Sequence, residues 1–323
     1  MKVFVTGGNG FIGSVVVKRL LQCGHDVCCL LRPTSRTERI DGLPLERVRG
    51  DVRDAASVQA GMRGCDATVH LASVSSWREI DSPALTDVVE GGMRHVLEAA
   101  AKQAGHRVVF VSSVTAVNGS DEPRVFDEHA PFTLDDPQLT YALVKRRAEA
   151  QCRRAVERGV PVVIVNPAEV YGPADTAFVS AGNLIDFSRA KPVVVCTGGT
   201  SVVYVDDVAA GIVSALERGR PGERYILGGE NLTIRQLAEL FLELVGRRST
   251  IVTLPNRLIR RLTRVATALR IPLPYDPRVI PYATRYWFVD GSKARRELGV
   301  EFRDARATLA PTVAWLKHAG LVA

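Results

Sequence analysis

Tyr141 and Lys145 stand four residues apart in Tyr141-Ala142-Leu143-Val144-Lys145, so on a helix both side chains project from one face. A cation beside a phenol favours the phenolate and lowers its pKa, which a tyrosine needs to act as a general acid near neutral pH. A Y-x-x-x-K pair also arises by chance as two surface residues, so a second chemical group is needed. Val108-Val109-Phe110-Val111-Ser112-Ser113 supplies one, a strand-like run that ends in hydroxyls. Open α/β sheets bind their ligands beyond the carboxyl ends of their strands, which is where these hydroxyls fall.

A nucleotide signal opens the chain. Thr6-Gly7-Gly8-Asn9-Gly10-Phe11-Ile12-Gly13 follows a strand-like run and leads into a helical pattern. Gly7, Gly10 and Gly13 allow a tight turn, close backbone approach to a pyrophosphate and close helix-to-strand packing, with Phe11 and Ile12 in the first helical turn. The spacing is G-x-x-G-x-x-G, with Gly8 in an extra slot. The second strand, His25 to Leu31, ends in Arg32, where an NAD enzyme would carry Asp or Glu for the ribose 2′-hydroxyl. A guanidinium pairs with a 2′-phosphate and a carboxylate repels it, so NADP(H) is expected over NAD(H). The alternative is that Arg32 and Arg36 are solvated loop charges. Gly50-Asp51-Val52 ends the next strand, where the carboxylate could accept from an adenine amine. Leu71, Ala72 and Ser73 end the fourth beside the expected dinucleotide path.

The elements that must position these groups alternate. Apolar runs at 3–5, 27–31, 68–71, 108–111 and 160–165 suit strands buried on both faces of a parallel sheet. Helical patterns at 11–23, 84–104 and 139–158 lie between them, which predicts a doubly wound α/β Rossmann sheet over residues 1–173. From 174 to 323 the pattern changes to helices at 177–190, 207–217, 233–245, 255–269, 292–298 and 305–318 with short strands, read as a smaller α/β substrate lobe. Segments near 202–217 and 225–227 are expected to return to the main sheet.

With these motifs in place, the chain resembles the extended short-chain dehydrogenase/reductase superfamily. The matching motifs are TGGNGFIG, GDVRD (50–54), HLAS (70–73), FVSS (110–113), YALVK (141–145), NPAEVYGP (166–173) and VYVDDVAAG (203–211). The stretches 222–233 and 289–294 are similar to the dihydroflavonol-reductase-like branch, within the wider NAD-dependent epimerase/dehydratase group. The resemblance implies that Ser113 orients a substrate carbonyl, Tyr141 donates the proton, and Lys145 binds the nicotinamide ribose. It places Pro167 beside the nicotinamide and Val170 among the cofactor-binding residues. Aligned as in dihydroflavonol reductases, the hydroxyl position is Ser113 and Asn118 contacts substrate; aligned as in sugar epimerases, that position falls on Val114. The first alignment is preferred. Relatives also form homodimers through the helices at 84–104 and 139–158.

Three reactions share this scaffold: ketone reduction or its reverse, epimerisation of a nucleotide sugar through a transient ketone, and 4,6-dehydration. Dehydratases carry an acidic pair after the serine/threonine position, where this chain has Val114-Thr115. Epimerases hold the substrate diphosphate with an arginine before the V-D-D segment, where this chain has Gly198 to Val203 with no basic residue. An unmatched diphosphate is costly in a closed pocket, so a small-molecule carbonyl or hydroxyl substrate without one is favoured. A dinucleotide sensor without turnover is the alternative of another class; such proteins commonly lose the tyrosine or lysine, and both are present.

Composition bounds the rest. The 323 residues are 46% hydrophobic and 24% charged, ordinary for a globular enzyme. The opening strand pattern at 2–6 predicts no leader and a cytoplasmic protein. Six scattered cysteines form no ligand spacing, so no metal is expected. Seven arginines and no acid lie between Leu244 and Tyr275, which accounts for the whole net charge of +7. No nucleic-acid motif accompanies them, so nucleic acid is not an expected partner. Within 256–270, Leu258, Leu262, Val265 and Leu269 form one helical stripe, expected to face the core opposite a solvated arginine face. Peripheral contact with an anionic membrane, or an electropositive rim for an acidic substrate, are the alternatives.

Overall fold

The computed structural model describes residues 1–74, 76–273 and 275–322. Its strands are, in chain order, β1 (Lys2–Thr6), β2 (Asp26–Leu31), β3 (Glu46–Arg49), β4 (Ala67–His70), β5 (Arg107–Val111), β6 (Val125–Phe126) and β7 (Val162–Pro167). They continue with β8 (Glu169–Tyr171), β9 (Val193–Cys196), β10 (Gly199–Tyr204), β11 (Arg224–Leu227), β12 (Glu230–Thr233), β13 (Ile251–Leu254) and β14 (Tyr286–Val289). The helices are α1 (Phe11–Gln22), α2 (Ala55–Met62), α3 (Pro83–Thr86), α4 (Gly92–Ala100), α5 (Thr140–Glu157) and α6 (Ala181–Arg189). After them come α7 (Val205–Arg218), α8 (Ile234–Val245), α9 (Asn256–Ala268), α10 (Ile280–Ala283), α11 (Ser292–Leu298) and α12 (Ala305–His318).

Seven strands form one parallel sheet in the order β11-β7-β5-β4-β1-β2-β3. The apolar runs explain why both of its faces are covered. Successive side chains of a strand point to opposite faces, so Val3 and Val5 pack with Val16, Val17 and Leu20 of α1. Phe4 between them joins Met62 and Met93 on the other face. β3 breaks the apolar rule, with the sequence Glu-Arg-Val-Arg and no fully buried residue. It is an edge strand, and its charges discourage pairing with another chain. The order reverses between β1 and β4, and that switch point is where such sheets open a crevice for a ligand.

The smaller lobe has its own sheet, β12-β10-β14-β6 with β8 beside β10, and a separate β9–β13 pair. This corrects part of the expected layout. Residues 225–227 do return to the main sheet, since β11 pairs with β7. Val202 and Val203 do not: β10 pairs with β8, β12 and β14 in the second sheet. Only the helix after them, α7, comes back, packing Val208, Ile212 and Leu216 with Val16 and Val17. Conversely, Val125 and Phe126 leave the first half of the chain to pair with β14.

Two helices differ from the sequence pattern. The stretch expected as one helix over 84–104 contains α3, a π-helical turn at Asp87–Gly91, and α4, which ends at Ala100. The helix expected from 177 starts at Ala181, because the chain first turns through left-handed Ala174 (φ 67°) and Phe178 (φ 52°). The Asp175 carboxylate accepts from the amides of Ser180 and Ala181 at 3.3 and 3.2 Å, satisfying donors that a helix start leaves free.

Candidate active site

The glycine turn connects β1 to α1 at the switch point. Gly7 takes φ +71°, and a Cβ there would sit 3.0 Å from the Leu71–Ala72 backbone after β4. Gly10 donates its amide to the Gly7 carbonyl at 3.0 Å, closing the turn. A Cβ on Gly13 would collide with that same carbonyl oxygen, so only glycine lets the first turn of α1 pack against the loop. Gly10 caps α1 without any side-chain acceptor, which leaves the amides and dipole end of Phe11 and Ile12 for an anion. The cradle therefore fits a dinucleotide pyrophosphate.

The loop after β2, where the sequence places the adenosine, is tied to this turn by a side-chain-to-backbone contact. Asn9 Nδ2 donates to the Arg36 carbonyl at 2.9 Å. Arg32 is exposed at the end of β2, and its amide donates to Ser35 Oγ at 3.1 Å. Asp51 accepts a two-pronged pair from Arg53 at 2.7 and 3.0 Å, and this guanidinium, with Arg32 farther off, holds its carboxyl below the usual range. Val52 is buried, with its carbonyl beside His95 Nδ1 at 2.8 Å. Sequence reasoning missed Arg39 here. It donates to the carbonyls of Asn9 (3.4 Å) and Ala174 (2.7 Å) and to Thr176 Oγ1 (2.6 Å), and so links the glycine turn to the small lobe.

Tyr141 and Lys145 lie on the first turns of α5, as the spacing requires. Lys145 is buried, and its ammonium donates to the Val111 carbonyl at 2.9 Å beneath the Phe110 ring. Burial lowers its pKa to about 8. The ammonium lies 5.7 Å from the centre of the Tyr141 ring. The Tyr141 phenol does not have the depressed pKa that the lysine spacing predicts. Burial raises it to about 12, and hydrogen bonds from Ser73 and Ser113 pull the other way. Ser73, Ser113 and Tyr141 thus place three hydroxyls together, two of which follow strands β4 and β5.

Adjacent serines take opposite roles. Ser112 is buried and donates to Glu149 Oε1 at 2.7 Å. Ser113 is half-buried and accepts from the Thr115 amide at 3.2 Å, capping a short 3-10 turn. Val114, the position that an epimerase alignment would use, is a buried core residue. Glu149 is a centre that sequence reasoning missed. It is fully buried one further turn along the Tyr141–Lys145 face, accepting also from Asn166 (2.7 Å) and Arg224 (2.7 Å). Extending the i, i+4 spacing by one step would have found it. Tyr282 was missed too, and its hydroxyl accepts from the Tyr141 amide at 3.0 Å, capping α5 from the small lobe. Pro167 and Val170 are buried where β7 passes into β8.

Asn118 follows the 3-10 turn that Ser113 caps. It is buried, and its side-chain amide donates to the Pro131 carbonyl (2.8 Å) and Thr133 (3.1 Å), while its oxygen accepts from the Gly119 amide. These hydrogen bonds tie Asn118 to the 131–133 loop.

A parallel sheet with a glycine turn at its switch point and a Ser-Tyr-Lys set beyond β4 and β5 defines an extended short-chain dehydrogenase/reductase. The chain belongs to the NAD dependent epimerase/dehydratase family, whose model matches residues 3–228. It is 31% identical to "Sterol demethylase protein B" of Methylococcus capsulatus over all of both chains. It is 31% identical to a "Putative dihydroflavonol 4-reductase" of Synechocystis, over 99% of this chain and 95% of that one. A Stigmatella aurantiaca enzyme named "4-hydroxy-2-methyl-3-oxo-4-farnesyl-3,4-dihydroquinoline-1-oxide ketoreductase" is 30% identical over 93% of this chain and 91% of its own. Among solved structures, the Thermus thermophilus UDP-glucose 4-epimerase in complex with NAD superposes with a TM-score of 0.77 at 25% identity, covering 99% of this chain and 100% of that one. The chain is thus an enzyme of a nicotinamide-dinucleotide family that contains both reductases and epimerases.

Proposed function

We propose that this protein is a cytoplasmic NADP(H)-dependent ketoreductase, or alcohol dehydrogenase in the reverse direction, acting on an apolar carbonyl substrate. The observation that carries the reading is the meeting of Tyr141, Ser113 and Ser73 hydroxyls above the buried Lys145. The nicotinamide, when bound, exchanges a hydride with the carbonyl carbon. Around that exchange the chain's own groups act on the carbonyl oxygen. Ser113 holds the oxygen by a hydrogen bond, and Tyr141 gives it the phenolic proton as negative charge develops. A phenol pushed up to about 12 is protonated at neutral pH, the state that reduction needs. Lys145 keeps a positive charge under the site below about pH 8. Gly7, Gly10, Phe11, Ile12 and Gly13 would hold the pyrophosphate. Arg32 would hold a 2′-phosphate and Asp51 the adenine amine, with Val52, Leu71, Ala72, Ser73, Pro167 and Val170 lining the path.

Two features favour reduction over epimerisation. Every residue of β10 is buried, and neither β10 nor Gly198 before it offers a basic side chain for a substrate diphosphate. The names of two relatives carry a sterol and a farnesyl group, both lipophilic. The resemblance also supports a homodimer through α4 and α5, which light scattering at twice 35.1 kDa would register. The decisive assay is NADPH oxidation against apolar ketones and nucleotide-linked 4-ketosugars, with NADH in parallel. NADPH oxidation confined to the 4-ketosugars would move the substrate to a nucleotide sugar. Interconversion of a nucleotide sugar with no net NADPH oxidation would move the assignment to an epimerase, and preference for NADH would remove the role given to Arg32.

A further inference from the structure

The apolar stripe of α9 faces outward. Leu258, Leu262, Val265 and Leu269 were expected to pack into the core, yet they are 42%, 52%, 48% and 66% exposed, and Ile271 just beyond is 53% exposed. The helix uses a different face to attach itself. Ile259 and Thr263 are its buried residues, with Thr263 Oγ1 2.8 Å from Tyr275 Oη. Asn256 donates to the carbonyls of Thr197 and Thr284, and Arg260 Nε donates to Thr284 Oγ1 at 2.9 Å. Asn256, Ile259, Arg260 and Thr263 follow i, i+3, i+4, i+7, so they form the inner seam; the leucines fall on the opposite side.

Charge decides what can cover this stripe. Arg257, Arg261 and Arg264 run along one flank at i, i+4, i+7, and Arg270 follows the helix; all four are exposed. Among the described residues, Arg260 is the one arginine of α9 in an ion pair, with Asp121 at 3.3 Å. No acid lies between Leu244 and Tyr275 to neutralise the others. A second copy of the chain is a poor cover, because a twofold interface sets the same patch against itself and would bring arginines together. An apolar stripe bordered by arginines that lack an acidic neighbour instead matches an anionic bilayer surface, with the side chains in the acyl boundary and the guanidiniums among phosphates.

We propose that α9 is a docking helix for membranes that carry anionic lipid. Its position makes the surface useful to the site. Arg260 holds Thr284, and two residues before it Tyr282 caps the helix that carries Tyr141. A bilayer beneath α9 would thus lie next to the small-lobe wall of the active site, where an apolar substrate would arrive. That last use rests on the ketoreductase reading; the docking surface does not, and its test needs no turnover.

The test is sedimentation of the full-length protein with phosphatidylcholine vesicles, with and without about 30 mol % phosphatidylglycerol, at low and high salt. The expected result is binding to the anionic vesicles alone, weakened by salt. Arg261→Gln with Arg264→Gln should lower the partition coefficient on the order of tenfold, and Leu262→Ser with Leu269→Ser by a similar factor, with melting temperatures unchanged because all four side chains are exposed. Arg261→Lys with Arg264→Lys should retain binding, since a lipid surface reads charge and not the guanidinium fork. No binding to anionic vesicles, or equal binding to both kinds, overturns the proposal. So does a dimer in the wild type that Leu262→Ser with Leu269→Ser converts to monomer, which would assign the stripe to a second copy.

Discussion

Ser112 Oγ donates to the Glu149 carboxylate at 2.7 Å, which turns the first serine of the pair into the core and leaves the second beside the Tyr141 phenol. Glu149 is itself held by Asn166 and Arg224, so the arrangement has little freedom to reverse. Ser113→Ala should therefore lower kcat/KM about a hundredfold or more, the usual cost of one donor to a developing oxyanion. Ser112→Ala should leave kcat near the wild-type value and lower stability by about 1–3 kcal/mol, because it removes one donor from a buried carboxylate. Steady-state kinetics and thermal melts on both variants check this, and a larger catalytic loss at Ser112 would reverse the roles.

The glycine turn gives a steric prediction. An added methyl at position 13 meets the Gly7 carbonyl, which is backbone and cannot rotate away. Gly13→Ala should weaken NADPH binding roughly tenfold or more, since overpacking of this kind costs about 1–3 kcal/mol. Gly24, by contrast, has a positive φ of 77° with open space around it. Gly24→Ala should cost stability alone, and fluorescence titration of NADPH should find its affinity unchanged.

Arg32 is exposed and close enough to Asp51 to help hold that carboxyl ionised. Reversing its charge should set a carboxylate against the 2′-phosphate. Arg32→Glu is expected to raise the Kd for NADPH on the order of a hundredfold while NADH binding changes little. Parallel titrations measure the ratio, and equal losses for both cofactors would remove Arg32 from 2′-phosphate recognition.

His70 gives a prediction for pH. It is fully buried against Thr6 and Phe110, and burial, with the Lys145 charge, lowers its pKa from 6.5 to about 3. As the pH falls below 6.5 the unfolded chain takes up this proton and the folded one does not. Its contribution to stability is therefore present above 6.5 and is lost as the pH falls toward 3, at about 1.4 kcal/mol per pH unit. The stability gap between wild type and His70→Asn should narrow by about 2 kcal/mol between about pH 6.5 and pH 5. Urea melts at the two values give the gap, and a constant gap would mean that His70 takes up its proton in the folded chain as readily as in the unfolded one.

How much of this was legible in the chain follows from the range of each interaction. Short-range periodicity placed β1, β2, β4, β5 and the helices α1, α5, α11 and α12 to within a few residues, because each is set by its own apolar pattern. The glycine turn and the Tyr141–Lys145 pair were legible because their spacing is local. The partnership of β10 with β8, β12 and β14 was not, because buried Val202 and Val203 suit either sheet equally well. α9 shows the same limit: an amphipathic pattern states that two faces differ, not which one the fold covers. Contacts between distant loops were likewise invisible, as with the Arg39 guanidinium and the Ala174 carbonyl, which stand far apart in the chain and meet only once both lobes are folded.

Everything proposed for the site turns on Tyr141 moving the proton in a hydride transfer. Tyr141→Phe removes one oxygen from a half-buried ring and leaves the glycine cradle intact. The measurement is turnover of NADPH with a reducible apolar ketone, alongside the Kd for NADPH, in the wild type and in Tyr141→Phe. The expected result is a fall in kcat of roughly a thousandfold, within the range usual for a positioned acid, with Kd unchanged. Wild-type-like turnover by Tyr141→Phe would show that the proton comes from elsewhere.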